Sequence, residues 1–467
     1  VTTDGLAAVR LPLPPGAPID PWALTGGDGL LVAAPDRTLV GVGRMAVLAL
    51  PGGLADPSGA VRAVDALAAV PCTDHLTGAD GAAGHDGPTP FGHPMVAFGA
   101  LPFDRSAPTE LVVCALTYGR EADGTEWATV VGAPDELAAL LGAATGPGGA
   151  EHARAAAAVR DRLVALADRP AAPAPEAPAA PVPGLTDEGF CRAVEAGLEE
   201  IAAGRLAKVV LARHIDVPLE HPIDQPDLLA RWRNLEPSCT LLAMATPEGR
   251  FLAASPELLV ARSGDRVEST PLAGTTGRGD GAGGVLPSAL LESAKDADEH
   301  RLVVEAIAEA LGRCTEALDV PSGPQLVDLR TVTHLATPLR GRLAADGDGR
   351  RPSALDLVAA LHPTPAVGGV PREAAVTRLA ALEAVPRGPY AGPVGYVDGA
   401  GDGRWMVGIR AVVLDGRRAR VTAGVGVVAG SVPSTELAEV DLKLRSVLDV
   451  VVPGSAATVL HRDAALT

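Results

Sequence analysis

The chain has 467 residues, 47% hydrophobic and 21% charged, with a formal net charge of -18. That is enough apolar material for a large core and excludes a disordered polyelectrolyte. The acidic balance also excludes nucleic acid and anionic membrane surfaces as partners, since both need clustered Lys and Arg, and an anionic small molecule would need a local pocket of positive charge.

In chain order, residues 1–168 read as short strands, GLLVAAP, TLVGVGRMAVLAL, PMVAFGALPF, ELVVCALTYG and EWATVVGAP, separated by turn signals such as GGDG and PGG. Helices are predicted over about Pro134–Leu141 and Glu151–Ala167. The stretch Asp74–His93 holds three histidines, but its Gly and Pro content reads as a loop rather than a zinc site. Residues 169–184, RPAAPAPEAPAAPVPG, read as an extended, exposed linker or surface loop, because proline removes backbone donors.

Beyond it, Thr186 is a predicted N-cap for a helix ending near Gly204. KVVLARHIDV, LLAMAT, RFLAAS and ELLVARSG read as strands, followed by a long helix over about Ser288–Arg313. Helices near Pro352–Leu361 and Arg372–Leu382 precede the strands PVGYVD, WMVGIRAVVLDG and RARVTAGVGVVAG. A last helix ends near 453, and a loose tail is expected over 454–467. Strands and helices come in blocks and not in βαβ alternation. The expected class is therefore α+β, a large, mostly antiparallel sheet flanked by helices. The N-terminal strands are expected to complete one large domain with the 185–453 core, leaving 169–184 as a surface loop.

In the last helix Glu436, Glu439 and Lys443 are three and then four residues apart and share one face. They are either an ordinary Glu–Lys pair on a solvated face or a clamp for a cation and an anion. Lys208 opens a strand whose Val210 and Ala212 share its face. It either snorkels to solvent or is buried with a depressed pKa, as a base near neutral pH would be. Glu257 is a turn residue after Pro256 or a carboxyl inserted between apolar strands, with a raised pKa suited to an acid. Glu299 stands at the edge of a helix's apolar face, where metal carboxylates are placed. PLAGTTGRG and AGVGVV offer backbone N–H groups to an anion but match neither a Walker loop nor a dinucleotide fingerprint. Arg410, inside an apolar strand, needs an anion from the protein or a substrate. His334 and His362 read as core histidines.

The five cysteines, Cys72, Cys114, Cys191, Cys239 and Cys314, are isolated, which points to a reducing compartment without disulfides. With no signal-peptide pattern and no long apolar run, a cytoplasmic location is expected.

The runs KVVLAR, SPELL, PLAGT, AKDADEHRLVV, HLATPLRG, LHPTPAVGG, PYAGPVGYVD, MVGIRA, AGVGVV and ELAEVDLK, in this order over 185–450, resemble the chorismate-utilising enzymes. HLATP and HPTPAVGG look most like the isochorismate synthases within that family. The resemblance implies Mg²⁺-dependent isomerisation of chorismate to isochorismate, feeding menaquinone or siderophore synthesis. By this likeness Lys208 matches the base that activates water toward C2, and Glu257 matches the acid for the C4 hydroxyl. Glu299 and Glu439 match Mg²⁺ ligands, with Glu436 in the metal shell. Tyr390, Arg410, Gly424, Gly426 and Lys443 match contacts to the pyruvyl carboxylate, and Gly274 and Thr275 match further substrate contacts. Val425 in AGVG and Val440 in EVDLK depart from the family pattern. Ala273 stands where the aminodeoxychorismate synthases carry a nucleophilic lysine, which disfavours amination. No fused glutaminase is expected, and a monomer or weak homodimer is. Salicylate synthase is the alternative enzyme, and a silent chorismate-binding protein the alternative of another kind.

Overall fold

The computed structural model describes residues 3–76, 92–141, 150–168, 182–277, 287–383 and 385–453. Most of the three-histidine stretch Asp74–His93 (77–91), most of the Pro/Ala-rich segment (169–181) and the tail (454–467) lie outside the described residues. Among the described residues, twenty strands join through hydrogen bonds into one continuous network, and three more form a small second sheet. Ten α-helices flank them. Every pairing but one is antiparallel, the exception joining Ala7–Pro12 to Cys72–Asp74. The chain is a single α+β domain, as the block arrangement of elements predicts.

Two strands form the floor of the site. Lys208–Pro218 pairs along its whole length with Arg418–Val428, placing Val210 opposite Gly426 and Ala212 opposite Gly424. Both are rich in β-branched residues, and the first six positions of the former are all buried, so both faces are covered. One face carries Val209, Leu211, Val425 and Val427 into the main core. There the helix Asp187–Ala202 packs closely, with Gly197 leaving room for Val209 and Val427. Val425, the departure from the family's small residue, belongs to this core and is not among the residues lining the site cavity. Val440 is fully buried in the same core. The opposite face carries Lys208, Val210, Ala212, Gly424 and Gly426.

Several elements differ from the sequence expectation. The single long helix is two, Pro287–Glu292 and Ala294–Gly312, because Ser293 leaves helical geometry and caps the second by accepting a hydrogen bond from the Asp296 N–H (3.3 Å). WMVGIRAVVLDG is two strands, Gly403–Val407 and Ala411–Asp415, and Arg410 lies in the break with a φ of 52°. The end of the Pro/Ala-rich segment, Val182–Pro183, pairs with Ile215 and Asp216 instead of staying clear of the sheet. PLAGTTGRG contributes a strand, Leu272–Gly277, bulged between Ala273 and Thr275, in the small sheet with Gln325–Asp328 and Val332–Ala336. The helix Pro57–Ala68 was not anticipated, although Asp56 caps it and Pro57 opens it.

Candidate active site

Where the strand pair, the small sheet and the helices Ala294–Gly312 and Pro433–Val451 meet, a cavity opens. Nine of the expected residues line it: Glu257, Gly274, Thr275, Glu299, Tyr390, Arg410, Gly424, Gly426 and Lys443. Lys208 and Glu439 lie behind that lining, ion-paired to its Glu299 and Lys443, and Glu436 is ion-paired to Lys295, which is also outside the lining. Lys208 is fully buried, its Nζ 2.9 Å from Glu299 Oε1, in contact but without a well-aligned hydrogen bond. Lys443 Nζ lies 2.7 Å from Glu439 Oε1 and donates to the Gly424 carbonyl (3.1 Å). Lys295 Nζ, which sequence reasoning did not single out, lies 2.6 Å from Glu436 Oε1. Three carboxylates thus each hold one ammonium. Gly426 makes the first pair possible, because a Cβ there would stand 2.2 Å from Glu299 Oε1 and 3.0 Å from Lys208 Cε.

Burial and charge set the protonation of these groups. Burial pushes the Glu257 carboxyl up to about 8, against the opposing pull of the Leu272 N–H and of Lys208 and Lys443. At neutral pH Glu257 is therefore mainly a neutral acid facing the cavity. Glu299 is also desolvated, though less enclosed than Glu257, but Lys208, Lys443 and Lys295 outweigh desolvation, and its pKa falls below the ordinary value. The two carboxyls are driven in opposite directions, the pattern expected of an acid beside a permanent anion. Burial raises Glu436, with Glu439 adding to the rise and Lys295 and Ser431 opposing it.

Arg410 is half-buried, and the side chains that hydrogen-bond it among the described residues are neutral. One terminal nitrogen donates to Ser446 Oγ (3.1 Å) and the other to His334 Nε2 (3.0 Å). Since a guanidinium only donates, His334 Nε2 accepts and its proton sits on Nδ1, facing Thr275 Oγ1 (3.0 Å) and the Gly274 carbonyl (3.3 Å). Burial, followed by the charges of Arg410 and Lys443, holds His334 well below its ordinary pKa and keeps it neutral. With no carboxylate hydrogen-bonded to it among the described residues, although Glu236 and Glu439 act on it electrostatically, Arg410 offers its positive charge to an anion in the cavity. Tyr390, pushed up to about 12 mainly by burial, stays a protonated phenol.

The sequence also passed over Ser446, Asp296 and Arg387. Ser446 could have been found by extending the stripe Glu436, Glu439, Lys443 by three residues. Asp296 lies one turn before Glu299 on the same helix face. His334 and Arg387 carry no local signal, since strand pairing and a loop bring them to the cavity.

Which residues fit a divalent cation is a question of donor chemistry. Among the described residues no three acidic or histidine groups converge as a closed metal cage. Mg²⁺ rarely uses one, taking one or two carboxylates with water and substrate oxygens. Glu436 is fully buried, and its Oε2 lacks a hydrogen-bond partner, so it offers an oxygen donor that a cation would satisfy. Glu299 and Glu439 supply hard oxygen donors close by. The set fits Mg²⁺.

The chorismate-binding enzyme family model matches residues 149–452, more than half of the chain. The putative isochorismate synthase MenF of Mycobacterium tuberculosis is 42% identical over 302 residues, which cover 61% of this chain and 78% of that protein. The isochorismate synthase DhbC of Bacillus subtilis is 40% identical over 277 residues, covering 57% of this chain and 68% of that one. The crystal structure of a putative 2,3-dihydroxybenzoate-specific isochorismate synthase, DhbC of Bacillus anthracis, superimposes with a TM-score of 0.69 at 29% identity, covering 92% of this chain and 98% of that one. The chain belongs to the chorismate-binding enzymes.

Proposed function

We propose that this chain is an isochorismate synthase, isomerising chorismate to isochorismate in the cavity between Lys208 and Glu257. The observation that carries this reading is a buried Glu257, its pKa raised to about 8, in a pocket that also presents Arg410 and Lys443, cations suited to a carboxylate substrate. Arg410, Lys443, Tyr390 and the backbone at Gly424 and Gly426 hold the side-chain carboxylate. Gly274 and Thr275, fixed by His334, orient the ring.

The chemistry exchanges one hydroxyl for another. Glu257 donates its proton to the departing C4 hydroxyl, which leaves as water. Lys208, as the free amine, takes a proton from the water that adds at C2. Proton donor and acceptor both sit at buried positions, where proton transfer is worth about 10²–10⁴-fold in rate. Glu299, Glu436 and Glu439 are the residues that would hold Mg²⁺. When bound, the ion supplies the positive charge that fixes the ring carboxylate in an otherwise acidic protein.

The test is incubation of the purified protein with chorismate and Mg²⁺, with an EDTA control, and chromatographic separation of products. Isochorismate approaching equilibrium with chorismate, abolished by EDTA, is the expected result. Salicylate and pyruvate in equal amounts would reassign the chain to salicylate synthase. Binding of chorismate without turnover would leave a silent binding protein.

A further inference from the structure

Three lysines hold the carboxylates of the site, and one of them stands apart. Lys208 is enclosed, with its side chain fully buried, and Lys443 is 14% exposed and also bonded to the Gly424 carbonyl. Lys295 opens the helix Ala294–Gly312, and its side chain is 31% exposed. Its recorded partner is the carboxylate of Glu436, whose side chain is wholly buried. Its charge is also felt by Glu439 and Glu299, so it sits amid all three carboxylates. Unlike the other two lysines, it matches no substrate or catalytic position.

We propose that Lys295 is a tethered counter-cation, which neutralises Glu436 in the metal-free protein and must be displaced by the divalent ion. It thereby sets the Mg²⁺ concentration at which the site fills. The inference rests on the reading of Glu299, Glu436 and Glu439 as metal ligands.

The physical case has two sides. A buried carboxylate without a partner is strongly destabilising, and the free oxygen Oε2 shows that Glu436 has no second source of compensation of good geometry. The Ser431 hydroxyl favours its ionised form without completing a well-aligned hydrogen bond. The apo site therefore needs Lys295. A divalent ion at the same carboxylate meets an ammonium 2.6 Å from the oxygen it must bind. The two cations repel and compete for one ligand. The half-exposed stem gives Lys295 a route to solvent that leaves the core intact, a route the other two lysines lack.

The test compares Lys295→Met and Lys295→Gln, which remove the charge, with Lys295→Arg, which keeps it. Thermal unfolding is followed against Mg²⁺ concentration, with calorimetric titration of Mg²⁺ as a second readout. Both neutral variants are expected to melt below wild type without metal and to need about tenfold less Mg²⁺ for half-maximal effect. The Arg variant should stay within about twofold of wild type. Should the neutral variants fail to fold, amine-reactive labelling of wild type, read at Lys295 by mass spectrometry, should rise on adding Mg²⁺. Neutral variants with an unchanged or higher Mg²⁺ requirement, or labelling that does not rise, would overturn the role of Lys295 while leaving the metal site standing. No Mg²⁺ response in wild type would overturn the metal reading, and the proposal with it.

Discussion

Glu257 shows how one residue's surroundings decide its chemistry. Its carboxyl lies at the junction of the strands Gly249–Ser255 and Leu258–Ser263, and its backbone is fixed on both sides. The Glu257 N–H donates to Ser255 Oγ (3.3 Å), and its carbonyl accepts from the Val407 N–H (3.0 Å). Burial raises its pKa from 4.5 to about 8. Below the lower value the carboxyl is protonated in both the folded and the unfolded chain. Between the two values the unfolded chain releases a proton that the folded chain keeps, so stability falls as pH rises through this window, then levels off. Glu257→Gln removes the ionisable proton but keeps shape and burial. We expect kcat to fall at least about 100-fold. At pH 8 the variant should be more stable than wild type, by up to about 4 kcal/mol. Wild-type kcat should decline as pH rises through about 8. Rate–pH profiles and urea titrations of both proteins check this; a variant that keeps wild-type turnover removes Glu257 from the mechanism.

At the scale of elements, the C-terminal helix Pro433–Val451 carries one functional stripe in which Glu436, Glu439, Lys443 and Ser446 follow at steps of three, four and three. Ser446 Oγ accepts from Arg410 and donates to the Lys443 carbonyl (2.7 Å), so the helix aims the guanidinium from behind. Ser446→Ala removes that acceptor and leaves the rest of the stripe. The expected result is a KM for chorismate raised about three- to tenfold with kcat little changed, and recovery in Ser446→Thr. A kcat loss without a KM change would argue against a positioning role. This stripe was legible in the sequence because helical spacing is a local property. The strand opening at Lys208 was legible for the same reason, through its run of β-branched residues. What stayed hidden depends on distant partners. The break at Arg410 follows from its position between two strands that pair with different neighbours, Leu258–Ser263 and Gly249–Ser255. His334 reads as a core histidine until strand pairing places it opposite Thr275, within reach of Arg410. Its neighbours in sequence say nothing of either.

At the scale of the whole molecule, every candidate site residue lies between 208 and 446, yet the scaffold that holds them does not. Leu30–Ala33 pairs with Thr240–Thr246, and Val96–Ala100 pairs with Pro393–Asp398. Phe98, Trp127 and Leu39 share a second core cluster with Met244, Phe251 and Val394. Phe103 lies under the Arg387 guanidinium at 4.2 Å, and its carbonyl lies 3.0 Å from His362 Nε2, so the N-terminal part braces one wall of the cavity. We propose that residues 1–168 and 185–453 fold as one cooperative unit rather than as two. Each large side chain stripped of its partner loses about 1.5–3 kcal/mol of burial. The second cluster alone leaves six such side chains stripped on the C-terminal side, Leu242, Met244, Phe251, Val394, Tyr396 and Met406. Their sum rivals the roughly 5–15 kcal/mol by which a domain is stable, and two unpaired strand edges would be exposed as well. A fragment spanning 185–467 is therefore expected to be insoluble, or to melt without cooperativity, although it contains every residue of the proposed mechanism. Expression of the fragment and calorimetry of any soluble material decide the matter. A soluble fragment that turns over chorismate would make the N-terminal part an accessory and break the link between the second core and the site.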